Sequence, residues 1–250
     1  ILSLNKSDLE TFHEKRYTSE NICIAIAGNL TNEIYNSFKL SNIKYFEHRK
    51  PNLKPYKEKK SKVILRKGRE EITFENIAFS RIFMAWGIPS QKNQKITIGF
   101  EILASLMSVG RRSRLVESLK EEKNLVESIY ADINVGELGG LFIIEACCYE
   151  SYLKRVEKKI NLVIDEILEK KISRSEIRKA INIVKSNYIF NLETSTQLTS
   201  FYGNELLWGR KSSIEDLDIY LEYWANLENF REILNYLSKE KFTFIALSKK

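Results

Sequence analysis

The sequence predicts an α+β fold, an antiparallel sheet with helices packed on one of its faces, and three stretches carry that prediction. Gly110 to Tyr149 reads as a helix to Asn124, a strand from Leu125 to Val135, a glycine-containing turn and a second strand from Gly140 to Tyr149. β-Branched and aromatic residues (Val126, Ile129, Tyr130, Ile133; Phe142, Ile143, Ile144) bounded by Gly136, Gly139 and Gly140 make the strands an antiparallel hairpin. Ile77 to Gly87 is an apolar run closed by Pro89 and joins the same sheet. Leu153, Val156, Ile160, Val163, Ile164, Ile167 and Leu168 recur at helical spacing against a charged face, so this helix has one apolar side to bury.

The remaining elements follow in order. Ser7-Asp8-Leu9-Glu10 has capping-box spacing and starts a helix that runs to about Tyr17. Ile22 to Gly28 reads as a buried strand, Asn32 to Leu40 as a short helix, and Lys62 to Arg66 as a strand. A helix from Gln94 to Ser108 puts Ile98, Ile102 and Leu106 on one face, and its stripe is core. Ser113 is available as N-cap for the helix carrying Leu115 and Leu119. Ser173-Arg174-Ser175-Glu176 is a second capping box, opening a helical stretch through Asn191 and, after a break near Glu193 to Gln197, on to Trp208. Helices at Ser213 to Trp224 and Leu227 to Ser238 precede a strand from Phe242 to Leu247.

A weak repeat relates the ends of the chain: helix, aromatic, turn and apolar strand occur at Leu9 to Gly28 and again at Phe230 to Ser248. If each strand is the last of a similar domain, residues 1–47 finish one domain, 48–61 are a linker, and 62–250 make a complete second domain. The chain begins with Ile1 and enters a helix almost at once, so a piece of a longer polypeptide is the expectation. With its sheet mostly upstream, the Ile22 to Gly28 strand is expected to add to an exposed edge of the second domain or to pair with another copy.

The net charge of +7 raises a nucleic-acid hypothesis, but its location weakens it. Between Arg49 and Lys62 seven basic residues stand against one acid, Glu58, a local +6 in a stretch holding Pro51 and Pro55. Such a run reads as a solvated linker. Of three cysteines, Cys147 and Cys148 are adjacent in an apolar strand, which points to buried free thiols in a reducing compartment such as the cytoplasm. No run approaches the ~18 apolar residues of a membrane span, so a soluble domain is expected, with neither membrane nor nucleic acid among its partners.

Catalytic constellations are scarce. A zinc hydrolase needs about three His, Asp or Glu ligands, and the chain has two histidines. His13-Glu14 looks like the opening of a zinc helix, yet one turn on stands Tyr17. There is no Gly-x-Ser-x-Gly elbow, and the glycines are too scattered to cradle a phosphate.

The order Gly110, Ser113-Arg114-Leu115, a charged helix, Leu125, then Gly140-Leu141-Phe142 resembles the C-terminal, non-catalytic domain of the insulinase-like (M16) zinc metallopeptidases, the pitrilysin and mitochondrial-processing-peptidase group. Tyr17-Thr18-Ser19-Glu20-Asn21 and the strand after it look like that family's Tyr-Thr-Pro-Glu-Asn segment. The resemblance implies an M16/LuxS-like metallohydrolase-type domain forming the wall of a peptide-binding chamber, in an active parent or an inactive companion subunit. It implies no metal here, with zinc expected in the N-terminal domain of an active parent or partner. Partners are then that N-terminal M16 domain or subunit and an unfolded peptide held by strand addition and shallow pockets, with a homodimer as a further option. The chain departs from relatives at Glu127, where many carry an aromatic, and at Gly110, where processing relatives have a long glycine-rich loop; this argues against a processing-type recognition subunit. Some relatives send an Arg and a Tyr from this half into the cleft, and Leu125 to Glu137 offers Tyr130 but no Arg. Arg111 and Arg112, where relatives keep small residues, are either solvated loop arginines or selectors of acidic or C-terminal peptide groups. Arg111, Arg112 and Tyr130 are therefore the candidate substrate-binding residues, no catalytic residue is assigned, and the competing reading is a basic binding or dimerisation module without a peptidase role.

Overall fold

The computed structural model describes residues 3–18, 21–38, 65–169, 172–207, 209 and 213–249. The expected linker at 48–61 and its basic run lie outside the described residues. Helices are α1 (Lys6–Arg16), α2 (32–38), α3 (Gln94–Ser108), α4 (Leu153–Leu168), α5 (Arg174–Phe190), α6 (Ser195–Leu207), α7 (Ser213–Ala225) and α8 (Leu227–Leu237). Strands are β1 (Gly68–Phe74), β2 (Ser80–Ile88), β3 (Ser128–Val135), β4 (Gly140–Cys148) and β5 (Phe242–Ser248). They form one sheet in the order β1-β5-β2-β4-β3.

The β5–β2, β2–β4 and β4–β3 pairs are antiparallel, while β1 adds to β5 in parallel. The sheet is thus mixed at one edge, where the sequence predicts antiparallel pairing throughout. Parallel neighbours need a long crossover, and almost the whole domain lies between β1 and β5. The first strand is also displaced from its expected place: 62–64 fall outside the described residues, Leu65 and Arg66 precede the strand, and β1 itself reads Gly-Arg-Glu-Glu-Ile-Thr-Phe with every residue exposed. A charged edge strand has no apolar run to betray it.

The chain divides into two compact units. The larger holds the described residues of 61–188 and 213–250. In it β2 alternates between buried and open positions, and Ile82, Met84, Trp86 and Ile88 join Phe142, Ile144 and Ala146 of β4 beneath the helices. α3 contributes Ile98, Phe100, Ile102, Leu103 and Met107 to that core. Gly99 sets its approach to α8, since a Cβ there would lie 2.5 Å from Cδ1 of Ile233. The Trp224 indole N–H donates to the Lys95 carbonyl at 2.8 Å and fixes α7 to the start of α3.

Between α3 and β3 the chain does not form the regular capped helix the sequence predicts. The Ser113 hydroxyl donates to the Gly110 carbonyl at 2.6 Å instead of capping, and Val116–Glu121 winds as a π-helix. Its Leu119 carbonyl accepts from Leu125 N–H at 2.8 Å, which turns the chain directly into the hairpin. Leu115 and Leu119 are buried there, as their spacing indicates.

The smaller unit holds α1, α2 and α6. Asn5 and Asp8 form the capping box of α1, displacing the predicted Ser7/Glu10 pair by two residues because Asn5-Lys6-Ser7-Asp8 has the same spacing. Ile22 to Gly28 forms no regular element, and no strand among the described residues pairs with it, which corrects its reading as a sheet strand. Cys23 Sγ donates to the Gly203 carbonyl of α6 at 3.1 Å, while Ile24 and Ile26 stay largely exposed.

Candidate functional site

Register decides which side chains share the face of the sheet opposite the helices. Side chains alternate along a strand, so Arg81, Phe83 and Ala85 of β2 stand beside Leu141, Ile143, Glu145 and Cys147 of β4 and Ser128, Tyr130, Asp132 and Asn134 of β3. Phe242, Phe244 and Ala246 of β5, and Glu70 and Ile72 of β1, continue this face. It is half-exposed: Phe83, Ile143, Phe242 and Phe244 are partly buried, and Ile72, Phe74 and Tyr130 are about 40% accessible. The face thus mixes aromatic, aliphatic and charged groups.

Its centre is a three-residue cluster. Glu145, 8% exposed, accepts from Nη1 of Arg81 at 2.9 Å and from the Tyr130 hydroxyl. That carboxylate and the partial burial of the ring push the Tyr130 phenol up to about 12, so it stays a protonated donor at neutral pH. A depression of about 480 Å³ beside the cluster is lined by Phe83, Gln91, Tyr130, Asp132, Ile133, Asn134, Val135, Ile143 and Glu145. Cys147 also lies on this face, but burial pushes its thiol up, and that of Cys148 to about 11, so neither is poised as a nucleophile.

Among the described residues β1 and β3 are the sheet's edges. The middle of the β3 edge is capped by side chains. Ser108 Oγ accepts from Ala131 N–H at 2.8 Å and shares its own proton between the Ala131 and Ala104 carbonyls, each at 3.2 Å. Two residues on, Ile133 N–H donates to Oδ1 of Asp132.

Of the residues the sequence singles out, Tyr130 stands in this cluster. Arg111 and Arg112 lie in the turn after α3, both exposed, with Arg111 Nε 3.6 Å from Oε2 of Glu121. No hydrogen bond or ion pair joins either arginine to Tyr130. Arg81 and Glu145 are the residues that sequence reasoning passed over, while Asp132 reads in the sequence only as part of the polar side of its strand. The signal was there: Glu145 is the lone charge in an apolar strand, and counting back from the turn through Val135 and Gly140 sets it opposite Tyr130.

Nothing in the described chain suits a catalytic metal. His13 is exposed on α1 and stacks on Tyr17 at 4.5 Å, His48 lies outside the described residues, and no group of three or more His, Cys, Asp or Glu among the described residues could hold an ion. No described helix is long and apolar enough to cross a membrane.

Residues 3–184 match the family described as the peptidase M16 inactive domain. The chain belongs to that family. Similar proteins include an uncharacterized zinc protease of Streptomyces coelicolor, 23% identical over 221 residues that cover 87% of this chain and 48% of that protein. Another is the uncharacterized zinc protease YmxG of Bacillus subtilis, 21% identical over 249 residues, 99% of this chain and 59% of that one. The M16 chain thus spans about half the length of these relatives. Among solved structures, a protease from Helicobacter pylori superposes with a TM-score of 0.78 at 17% identity, covering 98% of this chain and 60% of that one. The peptidase M16 inactive domain from Pseudomonas fluorescens superposes at 0.74 with 12% identity, covering 99% and 59%. These likenesses establish an α+β M16 fold with helices on one face of the sheet.

Proposed function

We propose that this M16 inactive domain forms the non-catalytic wall of a peptide-binding chamber, its open sheet face turned toward an unfolded peptide. Zinc and catalysis belong, on this reading, to an N-terminal M16 domain or a partner subunit, and residues 1–47 are the end of such a preceding domain. The observation that carries the reading is the open face itself: the sheet surface opposite the helices of its own unit, with Phe83, Ile143, Phe244 and Tyr130 around a fixed Arg81–Glu145 pair. The capped β3 edge shifts the expectation from strand addition at that edge to side-chain pockets on the face. Arg111 and Arg112 remain offered to acidic or C-terminal peptide groups. Photocrosslinking tests the proposal. A benzophenone side chain replacing Tyr130 in the full-length protein should label a bound unfolded peptide, whereas the same group at the exposed Leu162 of α4 should not. Equal labelling at the two positions, or none at Tyr130, removes the open face from peptide binding.

A further inference from the structure

We infer that the depression beside Tyr130 selects a lysine or arginine side chain of the bound peptide, with Asp132 as the carboxylate that meets its charge. The inference rests on the peptide-holding reading above and adds the chemical class of one bound residue.

Charge segregation is the first argument. The whole chain carries +7, yet the titratable acids and bases that register places on the open face are Glu70, Asp132 and Glu145 against Arg81, a formal −2. The depression repeats the bias, for Asp132 and Glu145 line it and no lysine or arginine does. Negative charge so placed attracts a cation and repels an anion.

The two carboxylates differ in what they have left to offer. Glu145 is buried with its oxygens taken by Arg81 and Tyr130, so its charge is already compensated and its position fixed. Asp132 is exposed and accepts only the Ile133 N–H through Oδ1, which leaves Oδ2 for a ligand. Directly across from Asp132 stands Ile143, with Phe83 and the Tyr130 ring beside it. That arrangement suits a long side chain with an aliphatic stem and a cationic tip: the stem lies on Ile143 and Phe83, the tip reaches the carboxylate, and the Tyr130 ring adds a cation–π contact. A depression of about 480 Å³ has room for such a side chain.

The test uses the full-length protein with a chelator present to stop turnover, and three fluorescent peptides that differ at one central residue: arginine, norleucine or glutamate. Fluorescence anisotropy should show the arginine peptide binding about tenfold tighter than the norleucine peptide, and the glutamate peptide weakest. Asp132→Asn keeps an acceptor for Ile133 N–H, so it should leave the melting temperature unchanged while abolishing the advantage of the arginine peptide over the norleucine peptide. Equal binding of the arginine and norleucine peptides, or an advantage that survives Asp132→Asn, overturns the inference and leaves the peptide-holding reading standing. Failure of all three peptides to bind overturns both.

Discussion

Glu145 interrupts an apolar strand with a buried charge, which is tolerated because two donors converge on it. Losing one partner of such a carboxylate costs about 1–3 kcal/mol, so Arg81 and Tyr130 are bound to it by energetics as well as geometry. The Tyr130 phenol reports the arrangement. An ultraviolet titration of the protein minus that of Tyr130→Phe should resolve one phenol ionising near pH 12. In a Glu145→Gln background the same difference should move down toward the ordinary tyrosine value, because the hydrogen-bonded negative charge is gone. A midpoint unchanged by Glu145→Gln would disprove the coupling. Tyr130 was legible in the sequence as a candidate and Glu145 could have been found from the hairpin register; Arg81 was not legible, because pairing it with Glu145 requires β2 and β4 to be neighbours, and 64 residues separate the two.

At the scale of elements, the capping box of α5 stands where the sequence put it, while the caps read at Ser7 and Ser113 do not. The Ser173–Glu176 capping box is present in both directions: Ser173 N–H donates to Oε2 of Glu176 at 2.8 Å, and Glu176 N–H to the Ser173 hydroxyl at 3.2 Å. Glu176 also receives Nε and Nη2 of Arg114, clamping the start of α5 to the turn before the π-helix. Partial burial opposes ionisation of Glu176, but the hydrogen bonds from Arg114 and Ser173 outweigh it and hold the carboxyl below its usual range. Its contribution is therefore complete above about pH 4.5 and is lost as the pH falls through the lowered value. Glu176→Gln should destabilise the protein by about 1–2 kcal/mol at pH 7 in urea unfolding, and the deficit should shrink at the acid end of that window. A deficit independent of pH would assign the loss to packing. Elements set by distant partners were less legible. β1 is a strand because β5 accepts it, and Ile22 to Gly28 has strand composition without a ladder among the described residues.

For the molecule as a whole, the fold class was legible because the apolar stripes of α3 and α4 and the hairpin of β3 and β4 each declare one buried side. The split of charge was not, since it appears only when five strands from across the sequence are brought into register. The candidate metal chemistry was bounded by counting histidines alone, and it gives a direct expectation: the purified 250-residue chain should contain substoichiometric zinc by elemental analysis. One zinc per chain, lost on His13→Ala, would contradict it. The partly capped edge of β3 bears on a hazard that the proposed peptide binding would bring. A bare strand beside a captured segment is a template, and growth from it ends in cross-β fibrils. One serine hydroxyl and one aspartate on the outward backbone of Ala131 and Ile133 take up the ladder donors that a sixth strand at that edge would need there.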